Sequence, residues 1–158
     1  LCNRMGILFD LSHLNEAGFN DVAALSDAPL VATHSNAHAI SPSSRNLTDR
    51  QLGMIRDSDG MVGVNFATGF LNADGRKTSD QGFDAMLRHL DHLITHLGED
   101  RVGFGSDFDG AEVPDKLKDA AGLPALCDAL RAHGYDEPLL SKISHENWLA
   151  VLERTWRD

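Results

Sequence analysis

Four short apolar runs recur along the chain, and each of them ends in polar side chains. They cover residues 7–13, 30–35, 61–66 and 101–107. Short, continuous apolar runs are typical of strands buried in a parallel sheet. Segments with helical spacing of apolar residues separate the runs, and the clearest of these extends from Phe83 to Leu97. The pattern predicts four βα units whose polar strand ends meet at one edge of a sheet.

Local signals predict where several helices begin and end. Asn15 is placed to cap a helix after the first predicted strand, and Thr48 with Gln51 forms the T-x-x-Q pattern of a capping box. Gly6 is expected to close a helical turn just before the first strand. Residues 67–80 form a loop rich in Gly, Asn and Asp, which is long enough to serve as a binding loop.

Two architectures can contain four βα units, an open sheet and half of a barrel. An open sheet that binds nucleotides is disfavoured, because Gly103-x-Gly105 lacks the third glycine of the phosphate fingerprint and has Phe108 in its place. A (β/α)8 TIM barrel carries its catalytic residues at the carboxyl ends of its strands but typically needs about 250 residues. The sequence therefore predicts an α/β fold in which residues 1–158, without an internal domain boundary, are the carboxyl-terminal half of a barrel.

Composition and charge exclude several classes of function. The 158 residues are 42% hydrophobic and 24% charged, which is the balance of a soluble globular protein. The formal net charge of −10, without any basic run, argues against binding to nucleic acid. We predict no signal peptide and no membrane segment, because no apolar run approaches the roughly 20 residues needed to cross a bilayer. Cys2 and Cys127 are expected to be reduced thiols, and a cytoplasmic location is favoured.

Candidate chemistry lies at the predicted strand ends. His13 and His34 end the first two apolar runs, and neutral imidazole nitrogen is a good ligand for zinc. Their spacing fits equally well two histidines that are bonded to backbone groups. Asp107 ends the fourth run, where a carboxylate can accept a proton from a water molecule and return it to a leaving amine. It shares strand parity with Gly103 and Gly105, so this face is expected to be empty and to leave room for a ligand.

Other side chains are candidates for substrate binding. Arg45 lies on the loop after the second strand, where its guanidinium could bind a substrate carboxylate through two hydrogen bonds. The alternative for Arg45 is a solvated surface side chain. Asn65 and Phe70, at the end of the third strand and in the loop that follows it, are expected to line the pocket.

The long predicted helix carries His89, His92 and His96 at helical spacing, which also suggests a metal site. We interpret these histidines as surface or packing residues, because the helix is expected to face away from the strand ends. Asp109, which precedes a glycine, is interpreted as a turn residue.

Six short motifs occur in a fixed order along the chain. They are Asp10-Leu11-Ser12-His13, Ala28-Pro29 leading to Thr33-His34-Ser35, Ser44-Arg45-Asn46, Val64-Asn65-Phe66, the run GFGSDFDG at 103–110, and Glu146-Asn147-Trp148. Together they resemble the signature of the membrane (renal) dipeptidase family of zinc peptidases. The resemblance implies a barrel-borne site with two zinc ions that hydrolyses dipeptides with a metal-activated water.

The resemblance also implies roles for individual residues. His13 and His34 would bind one zinc, Asp107 would act as the acid and base or bind the substrate amine, and Arg45 would bind the substrate carboxylate. The family's other ligands, a histidine and an aspartate on the first strand and a bridging glutamate on the third, have no match in this sequence. The chain would then be strands 5 to 8, with the missing amino-terminal half or a second copy as its partner.

Two alternatives stay open at this point. One is a half-barrel without catalytic activity that acts only by assembly with a partner, because a sheet with open edges invites association. The other is a different metal-dependent amidohydrolase, acting on a cyclic amide or an N-acyl amino acid with the same residue roles.

Overall fold

The computed structural model describes residues 1–80 and 82–156, in which helices alternate with a small parallel sheet. The sheet has the order β1-β2-β3, with β1 at Val31–Ala32, β2 at Met61–Val64 and β3 at Val102–Phe104. The helices of this part of the chain are α1 (Cys2–Met5), α2 (Glu16–Leu25), α3 (Asp49–Asp57), α4 (Thr68–Leu71), α5 (Asp84–Leu97), α6 (Leu123–His133), α7 (Glu137–Ser141) and α8 (Asn147–Thr155). The predicted α/β class is confirmed, and three of the four predicted strands form.

The first apolar run does not form a buried strand, so this prediction is wrong. Only Asp10 in this segment makes a parallel bridge, with Val31, and the side chains of Ile7 and Phe9 are 45% and 44% exposed. The segment runs along the outer edge of β1 and has a neighbour on one side alone within the described residues, so half of its apolar side chains stay in contact with solvent. The described sheet therefore has three strands, and the predicted four-stranded half-barrel is not confirmed.

Helices α3 and α5 make the crossover connections between the parallel strands and cover the sheet. Leu52 and Ile55 on α3, and Met86, Leu90 and Leu93 on α5, are completely buried. Burial of each such side chain stabilises the fold by about 1.5–3 kcal/mol. The apolar stripe predicted for the long helix is thus its packed face.

The predicted helix ends are confirmed. The side chain of Asn15 accepts a hydrogen bond from the backbone N–H of Gly18, and Thr48 with Gln51 forms a complete capping box at the start of α3. Gly6 closes α1 in the left-handed conformation, with φ of 63°. No helix among the described residues combines the length and the apolar character needed to cross a membrane.

Helix α8 docks on the end of β3 through polar side chains. Trp148 Nε1 donates a hydrogen bond to the carbonyl oxygen of Phe104 at 2.9 Å. A Cβ atom on Gly103 would lie 2.7 Å from this Nε1, and one on Gly105 would lie 2.1 Å from the carbonyl oxygen of Thr33. The expectation that these glycines leave an empty face beside Asp107 is therefore wrong, since they admit the close approach of Trp148 and of β1.

Candidate functional site

His13 and His34 meet at the carboxyl end of the sheet, as the sequence predicts. Their Nε2 atoms lie 3.0 Å apart, and the ring centroids are 5.0 Å apart with a tilt of 58° between the planes. Two imidazole nitrogens that face each other in this way can bind the same cation.

The other ring nitrogen of His34 is fixed by a hydrogen-bond relay. The Thr33 hydroxyl donates to Asp10 Oδ2 at 2.5 Å and lies 2.7 Å from His34 Nδ1. Because the hydroxyl proton is directed to Asp10, His34 Nδ1 carries the hydrogen and donates it to Thr33 Oγ1. The Nε2 atom of His34 then presents a lone pair toward His13. Orientation of a histidine through its second nitrogen is typical of metal ligands.

Asp10 anchors this relay, a role that sequence reasoning did not assign to it. Its Oδ1 atom accepts hydrogen bonds from the backbone N–H groups of Ser12 and Thr33, at 2.9 and 3.0 Å. Partial burial raises the pKa of the carboxyl, but hydrogen bonds from Thr33 and Ser12 outweigh it and hold the pKa below its usual value. Asp10 therefore stays ionised near neutral pH, which keeps it an acceptor for the Thr33 hydroxyl.

The backbone at two candidate residues is strained. His13 and Asp107 have φ angles of 70° and 58°, in the left-handed region that residues with a side chain rarely adopt. Such strain costs on the order of 1–3 kcal/mol per residue and often accompanies functional sites, where surrounding contacts hold it in place. Asp109 has φ of 64°, which agrees with its interpretation as a turn residue.

Asp107 is held by a buried amide. Asn65 Nδ2 donates to Asp107 Oδ2 at 3.0 Å, and Asn65 Oδ1 accepts from the backbone N–H of Ala67 at 2.7 Å. The backbone of Asn65 is in turn paired with the side chain of Asn36 in both directions, at 2.9 and 3.0 Å. Asn65 is only 1% exposed, and its buried, fully bonded amide is suited to orient Asp107.

Arg45 brings an unsatisfied cation to the same region. Its Nε and Nη2 atoms are buried and have no hydrogen-bond partner among residues 1–80 and 82–156, while the guanidinium carbon lies 5.3 Å from the centroid of the Phe70 ring. Burial lowers the pKa of Arg45, although Asp107 and Asp10 partly oppose this effect. Buried donors without partners are uncommon in native proteins, and a carboxylate is the group that pairs best with a guanidinium.

His13 lines two cavities. One, of about 270 Å³, is lined by His13, His38 and Arg45 among others. The second, of about 200 Å³, is lined by His13, Phe70 and Asp107 among others. Burial lowers the pKa of His13, and the positive charge of Arg45 and the neighbouring His34 lower it further. His13 thus lines both the cavity that contains Arg45 and the cavity that contains Asp107.

His89 holds the segments that follow β1 and β2, and the sequence interpretation of its orientation is wrong. It is a packing residue, as expected, but it does not face away from the strand ends. Its Nδ1 accepts from the backbone N–H of Ala37 at 3.1 Å, and its Nε2 lies 3.1 Å from the carbonyl oxygen of Leu71 and donates to it. Complete burial lowers its pKa to about 4. Helical spacing from Met86 and Leu93 was the signal that places it on the buried face.

His92 and His96 are partly exposed, as expected, and lie with Asp49 on α3 and α5. Within residues 1–80 and 82–156, these three form a group whose potential ligand atoms all lie within 4.8 Å of one another. In the same ranges, no further histidine, cysteine or carboxylate places a ligand atom within 4.8 Å of the ligand atoms of both His13 and His34.

Comparison with known proteins agrees with the fold and with the motifs. A metallo peptidase from Rhodobacter sphaeroides, solved with a phosphinate mimic of the dipeptide L-Ala-D-Ala, is 69% identical and superposes with a TM-score of 0.97 over 98% of this chain and 44% of that chain. The dipeptidase AC, a metallo peptidase of family M19, is 68% identical, with a TM-score of 0.97 over 98% of this chain and 46% of that one.

An uncharacterised protein encoded in the pqqA 5' region of Klebsiella pneumoniae is 54% identical over 155 residues, which are 98% of this chain and 57% of that protein. The chain thus spans about half the length of these relatives. The profile of the membrane dipeptidase family matches residues 1–157, nearly the whole chain. The resemblance seen in the six motifs is confirmed, and the chain belongs to the membrane dipeptidase family, peptidase family M19.

Proposed function

We propose that this chain is the carboxyl-terminal half of a zinc-dependent dipeptidase and supplies one histidine pair, a proton-transfer carboxylate and a carboxylate-binding arginine to its active site. The observation that carries the proposal is the 3.0 Å separation of the Nε2 atoms of His13 and His34. Membership in family M19 supports it, as does the dipeptide mimic bound to the Rhodobacter sphaeroides relative.

The two histidines fit a zinc ion. Zinc binds imidazole nitrogen at about 2.0–2.1 Å, so two nitrogens in a tetrahedral site are separated by about 3.3 Å. The Nε2 separation of 3.0 Å requires only a small adjustment to reach this value. When bound, zinc would lower the pKa of a coordinated water and polarise the peptide carbonyl. The ligands of the second zinc would come from the other half of the protein.

Arg45 would select the substrate by its length. Its unpaired Nε and Nη2 atoms form two parallel donors for the carboxylate of a dipeptide. A longer peptide would place an amide here instead of a carboxylate and would leave the guanidinium without a charged partner. Phe70 lies against the guanidinium and restricts its orientation.

Asp107 would move the proton. The carboxylate would accept a proton from the attacking water and donate it to the amine of the leaving amino acid. Asn65 donates a hydrogen bond to Oδ2 of Asp107. The Oδ1 atom accepts no hydrogen bond from another described residue and is free for the proton exchange. Asp107 lines the same cavity as His13, which supports this role.

The open edge beside residues 7–10 would be covered by the amino-terminal half of the protein. Large apolar side chains are exposed around this edge, at Leu1 (81%), Met5 (60%), Ile7 (45%), Phe9 (44%) and Leu25 (82%). The chain also spans about half the length of its relatives. Closure by a second copy is the other outcome, and the size of the assembly in solution distinguishes the two.

The experiment compares hydrolysis of L-Ala-D-Ala by the chain alone and by the chain joined to its amino-terminal half, with zinc added to both. We expect turnover only from the joined protein, and a loss of at least 100-fold after His34→Ala. Vigorous turnover by the chain alone would show that no further ligands are needed. Faster hydrolysis of N-acetyl-leucine or of a cyclic amide than of any dipeptide would instead support the amidohydrolase alternative.

A further inference from the structure

We propose that Asp49, His92 and His96 form a separate binding site for a divalent transition-metal ion such as zinc. This site lies on helices α3 and α5, away from the histidine pair at the strand ends. It does not depend on the proposed dipeptidase activity, because none of the three residues belongs to that machinery.

The two histidines are arranged as a chelate. They are four residues apart on α5, which places them on adjacent turns of the same helix face. Their rings are stacked, with centroids 4.3 Å apart and 29° between the planes. The two Nε2 atoms point to a single oxygen, Asp49 Oδ1, at 2.7 Å from His92 and 3.9 Å from His96.

These distances are close to what a bound ion requires. In a tetrahedral zinc site, ligand atoms are separated by about 3.3 Å, given metal–ligand bonds of about 2.0–2.2 Å. The observed separations between Asp49 Oδ1 and the two Nε2 atoms, 2.7 and 3.9 Å, lie on either side of this value. Side-chain rotations that move the ligand atoms by less than about 1 Å would therefore admit an ion. All three side chains are partly or fully exposed, which leaves room for water as a fourth ligand.

The chemistry of the donors selects the type of metal. Two imidazoles and one carboxylate suit zinc, nickel or copper, and the site lacks the many oxygen ligands that calcium prefers. A histidine pair with one carboxylate also occurs in zinc enzymes that keep a water at the open position.

The supporting helices are rigid, which favours binding. The α5 segment that carries both histidines is anchored in the core by Leu90, Leu93 and Leu97. Asp49 is the first residue of α3 and lies between Thr48 and Gln51, the two residues of the capping box. A bound ion would therefore connect the start of α3 to the end of α5 and would stabilise the packing of these two helices.

Zinc titration tests the site in a His13→Ala/His34→Ala background, where the strand-end pair cannot contribute. We expect about one equivalent of zinc by calorimetry, and at a free zinc concentration of 100 times Kd the unfolding constant should fall by about 100-fold. His92→Ala, His96→Ala and Asp49→Asn should each remove this stabilisation. His133→Ala is the matched control, because His133 also pairs with a carboxylate, Asp91 at 2.9 Å, but does not belong to the group of three.

The zinc titration is repeated in a protein that keeps His13 and His34. The result then does not depend on how well the His13→Ala/His34→Ala variant folds. His92→Ala alone should lower the zinc content of this protein by about one equivalent. Unchanged zinc stoichiometry and stabilisation in a folded His92→Ala/His96→Ala variant would overturn the proposal, and the pair would then be an ordinary ion pair with Asp49.

Discussion

Asn65 and Asp107, 42 residues apart in the sequence, are joined by a hydrogen bond of 3.0 Å from the buried amide to the carboxylate. The amide has its own position fixed by Asn36 and by the backbone of Ala67, so the carboxylate is oriented by a network that is itself rigid. Since Asp107 also adopts a left-handed backbone conformation, this contact helps to hold a strained residue in place.

Replacement of this amide should reduce catalysis more than binding. If the proposed dipeptidase function holds, we expect Asn65→Leu to lower kcat by about 10- to 100-fold, because general acid–base catalysis contributes about 100-fold or more only when the group is correctly placed. KM should change little, because Asn65 donates to Asp107 and not to Arg45, the group proposed to bind the substrate carboxylate.

Asn20→Leu on α2 is a control for the amide replacement, since Asn20 contacts Arg50 outside the site. An unchanged kcat in a folded Asn65→Leu variant, or activity lost only through instability, would contradict a positioning role. Thermal unfolding of both variants separates these outcomes.

Arg45 should determine the preference for a free substrate carboxylate. Charge-assisted hydrogen bonds contribute about 1.5–3 kcal/mol, so Arg45→Met should lower kcat/KM for a dipeptide by about 10- to 150-fold. Hydrolysis of the corresponding dipeptide amide should be nearly unaffected, because this substrate cannot form the ion pair. The measurement is the ratio of kcat/KM for the two substrates.

Arg50→Met provides the matched control for this substitution. Arg50 is paired with Glu16 at 2.9 Å on the surface, and loss of such an exposed pair should leave the substrate ratio unchanged. Equal losses for the dipeptide and its amide in Arg45→Met would show that Arg45 has a purely structural role.

The sequence predicts those parts of the site that follow from strand ends and helix caps. His13 and His34 end apolar runs, and a parallel sheet brings such ends together, so their proximity follows from local patterns. The run at 7–13 has the same local pattern but remains half exposed, because burial depends on a neighbour that the described residues do not provide. Local sequence does not indicate whether a strand lies inside a sheet or at its edge.

Contacts between distant segments account for what sequence reasoning misses. The role of Asp10 depends on a threonine hydroxyl 23 residues away, and that of His89 depends on a backbone N–H 52 residues away. Gly103 and Gly105 suggest an empty face because they lack side chains, whereas the space is occupied by Trp148 and by β1. In each case the relevant partner is set by tertiary packing.

His89 should make stability depend on pH in a defined window. Its pKa is 6.5 in its ordinary state and about 4 in the fold, so between these values the unfolded chain binds more protons than the native chain. Stability is therefore fully present above pH 6.5 and falls as the pH drops toward 4. A shift of this size corresponds to about 3 kcal/mol.

Urea unfolding at a series of pH values between 4 and 7 measures this effect. His89→Gln should be less stable at neutral pH, because a buried backbone group loses a partner, and it should lose the pH dependence that His89 contributes. His133→Gln, which alters an exposed histidine, should retain it. A pH dependence that is the same in His89→Gln and in the unaltered protein would contradict the assignment.

Gly103 and Gly53 should respond in opposite directions to the same substitution. A Cβ atom at Gly103 would lie 2.3 Å from Met61 Cε and 2.7 Å from Trp148 Nε1, so Gly103→Ala should destabilise the fold by about 1–3 kcal/mol. At Gly53 on α3 no described atom beyond the adjacent residues and the nearby helix backbone lies within 4 Å of the added Cβ, and Gly53→Ala should stabilise the helix by about 0.5–1 kcal/mol. Urea unfolding of the two variants measures both effects. Unchanged stability of Gly103→Ala would show that Trp148 and Met61 do not pack closely on Gly103.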